Sequence, residues 1–147
     1  MILLLGILGA VFLPRLGGTG TYSDRASANR LVSGLRYAQQ QALSRNRFVR
    51  VQVGQPSLSR FRLHVCQAAA GSPGGCGGWS ALSPPTTNQG SWGVARGTRF
   101  TGAVTLYFDR LGRSVTAGGA VNANQPIALD SGATINVIGE TGFARRS

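Results

Sequence analysis

Side chains able to do covalent or acid–base chemistry are few and scattered. There is one histidine, His64, two cysteines, Cys66 and Cys76, and four carboxylates, Asp24, Asp109, Asp130 and Glu140. Hydrolytic catalysis is therefore short of parts, since an acid and a base must converge on one reacting group. His64 falls on the polar side of an alternating segment, where an ordinary surface histidine is expected. A catalytic or metal-binding role would need partners that the sequence does not supply. Cys66 and Cys76 enclose the nine residues QAAAGSPGG, a stretch flexible enough for the sulfurs to meet. A zinc site lacks two further ligands at suitable spacing. The two fates left are a disulfide in an oxidising compartment and a pair of free thiols elsewhere. No cofactor and no small-molecule substrate are expected, and the chain reads as a non-enzyme.

Positive charge is the abundant chemistry. Arginine supplies all 15 basic residues, lysine is absent, and the net charge is +11. Two readings of the missing lysine stand: GC-rich codon usage, or selection of the planar guanidinium fork that suits phosphate. Either way, so large an excess predicts attraction to anionic surfaces. The chain has 147 residues, which fits one domain able to bury roughly two-thirds of its unfolded surface. A hydrophobic content of 42% is too high for disorder.

The elements that must position these residues show in the periodicity. From Ser23 or Asp24, both good N-caps, to about Asn46, the residues Ala28, Leu31, Val32, Leu35, Ala38, Ala42 and Leu43 recur at three-four spacing. That spacing predicts an amphipathic helix over 23–46. Gly34 weakens it by roughly 1 kcal/mol against alanine, so packing must support it. Gly17–Thr21 reads as a flexible joint. After the helix, 47–147 reads as β. Phe48–Val53 and Arg60–Cys66 alternate apolar and polar residues, as half-buried strands with a polar outer face do. Ala68–Ser91 reads as a long loop with a short edge strand around Trp79. Further strands are expected at Thr98–Phe100, Val104–Phe108, Ser114–Thr116, Pro126–Leu129, Thr134–Ile138 and Phe143–Arg146. Asp109–Gly112 and Asp130–Gly132 read as hairpin loops, with Gly112 suited to a left-handed position. No helical crossover separates the strands, which disfavours a parallel sheet. The class is α+β: one N-terminal helix, then a meander of antiparallel strands.

Met1–Leu13 carries no charge. As a helix it would be about 20 Å long, too short to cross a bilayer core that needs about 20 residues. Pro14 and Arg15 close it. A signal peptide, a buried core helix and the later part of a spanning helix are the three readings. The first lacks a positive leading region and a good cleavage site, and the third is favoured.

This order of elements resembles the type IV pilin-like proteins. Leu5–Arg15 resembles the second half of their class III signal and pilin helix. The run Leu35-Arg36-Tyr37-Ala38-Gln39-Gln40-Gln41-Ala42, the hairpin Phe108–Arg113 and the stretch Glu140-Thr141-Gly142-Phe143 resemble the GspH/FimT group of minor pseudopilins, nearest the MSHA-pilus biogenesis proteins called MshC. Cys66–Phe100 is unmatched. The family carries Gly, then Phe-Thr-Leu-x-Glu, ahead of the apolar stretch, and those residues are not in this chain. Aligning on Pro14 places about eight mature residues further upstream, which completes the roughly 20 that a span needs. A start assigned too late, or a deliberately trimmed N-terminus, would account for this.

The resemblance implies a long N-terminal helix packed on the antiparallel sheets of a pilin-like head. Residues 1–22 would be the hydrophobic segment and joint, and 23–147 the head. Ile2, Leu3, Leu4, Leu5, Ile7, Leu8, Val11, Phe12, Leu13 and Pro14 would form the membrane and assembly helix. It implies an inner-membrane protein with its head in the periplasm and other pilins or pseudopilins as partners, in a type IV pilus or a type II secretion pseudopilus. A periplasmic head makes the Cys66–Cys76 disulfide the expected state. DNA is the alternative partner. FimT-like proteins have a Gly-Arg-x-Arg motif associated with DNA binding, and Gly142-Phe143-Ala144-Arg145 followed by Arg146 matches it in part. Arg145 and Arg146, then Arg110 and Arg113 of the hairpin, are the candidate nucleic-acid contacts.

Overall fold

The computed structural model describes residues 19–85 and 91–147; the expected membrane and assembly residues Ile2–Pro14 lie outside them. Helix α1 (Thr19–Arg45) turns its three-four stripe inward. Ala28, Leu31, Leu35, Ala38 and Ala42 are fully buried. Val32 is half-buried, while Leu43 lies one residue round from Ala42 and is 50% exposed. The helix is already formed at Thr19, the first described residue, so the expected joint is helical from there and Ser23 and Asp24 lie inside the helix and do not cap it. One glycine in a helix costs only about 1 kcal/mol. Polar residues of the first turns are bonded elsewhere. Asp24 Oδ1 accepts from Thr98 Oγ1 at 3.3 Å, and Ser27 Oγ accepts from the Ala95 amide at 2.9 Å. At the other end Asn46 is left-handed (φ 52°), the Arg47 amide donates to Ala42 O, and the Asn46 amide donates to Leu43 O. This is the Schellman closure of a helix.

Two antiparallel sheets lie against α1. The larger joins β1 (Val49–Val53), β2 (Arg60–Cys66), β3 (Trp79–Leu82), β4 (Trp92–Gly93), β5 (Val104–Phe108) and β6 (Ser114–Val115), in the order β3-β2-β1-β5-β6 with β4 also on β2. The smaller runs β7 (Gln125–Ala128), β8 (Thr134–Val137), β9 (Ala144–Arg146). The order corrects the simple meander. Strand β1 carries three buried valines and takes a partner on each side, Val51 opposite Leu63 on β2 and opposite Leu106 on β5. The expected strand at Thr98–Phe100 reduces to one bridge, Phe100 to Leu129, within a loop whose polar groups bond to α1 and Asp130.

The inward faces of both sheets and the stripe of α1 make one core. Its tightest point is Gly34, where an added Cβ would come within 2.4 Å of the Phe61 ring. The glycine that weakens the helix thus lets an aromatic ring lie on its backbone. Phe61 also stacks on Trp92 (5.5 Å between centroids) and meets Phe100 edge-on (6.4 Å).

The outer face of the large sheet departs from the expected polar surface at one end. Phe48, Cys66 and Val115 are buried there as a second small cluster, with Ala70, Cys76, Trp79 and Tyr107 packed on it. No helix among the described residues is long and apolar enough to cross a membrane.

Candidate functional site

Three segments far apart in sequence converge on one side chain. Gln39 sits within the last two turns of α1, and its amide nitrogen donates to Gly112 O (2.9 Å) and Thr141 O (2.7 Å). A primary amide has two N–H groups, so one nitrogen serves both carbonyls. The first belongs to the hairpin 109–112. There Asp109 Oδ1 accepts from the Leu111 and Arg113 amides, and Asp109 Oδ2 takes Nε and Nη2 of Arg113, each at 2.8 Å. The aspartate is only 7% exposed, so one carboxylate orders the whole turn. Gly112 has a φ of 77°, as the hairpin requires. The second carbonyl belongs to the turn before β9. Gly142 (φ 64°) lies there, and an added Cβ would fall 1.9 Å from Gly112 O. A side chain at 142 would push the turn off the hairpin, so glycine is needed for both its conformation and its size. Phe143, 45% exposed, lies under the Arg36 guanidinium at 5.4 Å.

The second constellation is the loop between β2 and β3. Cys66 and Cys76 are joined by a disulfide with a Cα–Cα distance of 5.9 Å. The loop is tied down by Gly74 N to Ala117 O (2.8 Å), Arg47 Nη1 to Gln67 O (2.6 Å) and Arg110 Nη2 to Ala70 O (2.8 Å). The Arg110 guanidinium also covers the Phe48 ring at 5.6 Å. Beside the loop, Trp79 lies 4.6 Å from the Arg50 guanidinium and 6.1 Å from the Tyr107 ring. His64 is half-buried on the same face. Burial first, then the charges of Arg50 and Arg62, hold its pKa below the ordinary 6.5.

The four arginines expected to contact nucleic acid are thus placed unequally. Arg113 is paired with Asp109 and Arg110 braces the disulfide loop. Arg145 and Arg146 are both exposed on β9, opposite Asn136 and Ile135. Neighbouring positions of a strand face opposite ways. Among the described residues no group of three His, Cys, Asp or Glu could hold a metal ion. What sequence reasoning missed is Gln39. It stands inside the quoted run 35–42, but helical spacing marks it only as a polar residue near the edge of the stripe.

Comparison with known proteins bears on the same segments. A family model described as type II transport protein GspH matches residues 27–141. No curated protein matches the chain. Two crystal structures of the type IV minor pilin FimU of Pseudomonas aeruginosa (strain PAO1) share the fold. The P65 form superposes with a TM-score of 0.53 at 15% identity, covering 84% of this chain and 91% of that one. The P21 form gives 0.52 at 18% identity, covering 84% and 85%.

Proposed function

The chain belongs to the GspH family of type II transport proteins, and from that premise we propose that it is a structural minor pilin or pseudopilin, joining a filament through the segment that precedes α1. The observation that supports this best is the Gln39 junction. The three quoted motifs, 35–42, 108–113 and 140–143, meet there as a brace that fixes the head on the helix, with no reactive group at its centre. A subunit carried by a helix needs its head held rigidly on that helix, and a hydrogen-bonded brace does this without chemistry. In this reading Met1–Leu13 continues the helix into the inner membrane before assembly, the head stands in the periplasm, and other pilins or pseudopilins are its neighbours. By its motifs we place the chain nearest the MSHA-pilus biogenesis proteins. The test is a gene deletion with complementation, read by counting filaments and by immunoblotting the sheared filament fraction. Loss of filaments on deletion, recovery on complementation and the chain in the sheared fraction are expected. Unchanged filaments with the chain absent from that fraction would overturn the assembly role.

A second reading, DNA binding during uptake, is favoured by the exposure of both Arg145 and Arg146, on successive positions of β9. Binding carried by phosphate contacts is independent of sequence and weakens steeply with salt. Titrating the protein with duplex DNA at low and physiological salt, beside Arg145→Ala/Arg146→Ala, tests it. Equal binding by the variant would remove those residues from the reading.

A further inference from the structure

On the face of the large sheet turned away from α1, positive charge is gathered without a counter-charge. Arg50 stands opposite His64 in the β1–β2 register, and Gln52 stands opposite Arg62. Alternate residues of a strand share a face, so all four lie together. On β5 the flanking partners are Tyr107 and Thr105, and on β3 the partner of His64 is Ala81. None of these elements brings a carboxylate to the face. Asp24, Asp109 and Asp130 are engaged elsewhere, with Thr98, Arg113 and the Arg99 amide. Glu140 lies in the turn beside the Gln39 junction.

Like charges on paired strands repel, yet this cluster is held rather than splayed. Arg50 is pinned over Trp79, which in turn leans on Tyr107. Two polar atoms of the cluster, Arg50 Nε and His64 Nδ1, are enclosed with no hydrogen-bond partner. Fixed cations with no carboxylate on their face are arranged for an anion that the chain itself does not provide, met by their outward N–H groups.

We propose that Arg50, Arg62 and His64 form a binding site for a phosphate-type oxyanion on the outer face of the large sheet, with Gln52 as a neutral donor beside it. The two guanidinium groups come from neighbouring strands. One guanidinium is enough to satisfy a carboxylate in bidentate fashion. A tetrahedral dianion has enough oxygens to face both arginines and the imidazole at once. Burial is the larger cause of the lowered His64 pKa, but the anion neutralises the arginine charges that add to it, so anion binding and His64 protonation reinforce each other. Binding tightens as pH falls through the His64 pKa, provided the anion keeps its charge.

His64 is the only histidine in the chain, so its imidazole gives one unambiguous set of NMR signals. The experiment follows the His64 titration in the full chain at constant ionic strength, with sodium chloride, inorganic sulfate, inorganic phosphate or dimethyl phosphate added. Sulfate stays dianionic across the titration and separates the protonation of the histidine from that of the ligand. Sulfate and phosphate should each raise the His64 pKa by about half a unit or more over chloride, as a nearby opposite charge does. A matching response to dimethyl phosphate assigns the site to diesters such as lipid headgroups, and its absence assigns it to free phosphate. Arg62→Gln and Arg50→Gln, each changing an outward side chain, should abolish the shift, while Arg145→Ala should leave it. The same pKa in sulfate, phosphate and chloride, or a shift that survives both Arg→Gln changes, overturns the proposal.

Discussion

On β1 and β2, Val49, Val51, Val53, Phe61 and Leu63 face α1, while Arg50, Gln52, Arg62 and His64 face away. The two faces come from alternate residues of the same strands and are held by different means. Apolar packing is the main hold on the inner face, down to a ring lying on the backbone of Gly34. The outer face has only the small cluster around Phe48, Cys66 and Val115, and its covering loop is secured by a disulfide, three hydrogen bonds and an arginine over a ring. The inner face therefore decides whether the chain folds, and the outer face decides what the folded head presents.

Four changes would break or sharpen that contrast. Phe61→Ala empties the tightest part of the inner core and should cost about 3–5 kcal/mol in urea unfolding. A smaller loss than that of any outer-face variant would reverse the ranking. Replacing both cysteines by alanine should cost about 2–3 kcal/mol in the chain-entropy account of a loop this short. Amide exchange should then speed up in 67–78 while the amides of β1 stay protected. Equal loss of protection on β1 would mean that the two faces are not separable. Gln39→Ala leaves two carbonyls without their shared donor and should cost about 1–2 kcal/mol. Faster exchange at 111–113 and 142–143 is its local signature. The smallest effect belongs to His64. Its folded pKa lies below the ordinary 6.5, so on acidification the unfolded chain takes up the proton first. Its contribution to stability is complete above 6.5 and is lost as pH falls from there to the folded value. His64→Gln should flatten the stability profile in that window, and an unchanged profile would place the acid sensitivity on another group.

Much of the inner face could be read directly. The stripe 28, 31, 35, 38, 42 and the alternation of β1 and β2 are local patterns, and local patterns survive folding when one face is buried. The hairpin at 109–112 was legible because one aspartate and one glycine suffice to specify the turn. That α1 runs on ahead of Asp24 was not, because Asp24 and Ser27 bond to residues 98 and 95, about 70 positions away. Strand order was hidden for the same reason: nothing within β1 says that β5 will take its second edge. Phe48 and Cys66 read as members of a polar face because the loop that buries them is a tertiary feature. Gln39 is the extreme case, an ordinary helix residue whose importance depends wholly on two turns that arrive later in the chain.

That dependence sets an order of events. Gln39 and the carbonyl of Thr141 are 102 residues apart. At ribosomal speeds of 5–20 residues per second, about 5–20 s separate their synthesis. The large sheet can form against α1 in that interval, but the contacts between the helix and β9 wait until β9 is made. A nascent chain therefore holds its head on α1 without the second half of the Gln39 brace for seconds, until the turn at Thr141–Gly142 arrives to complete it.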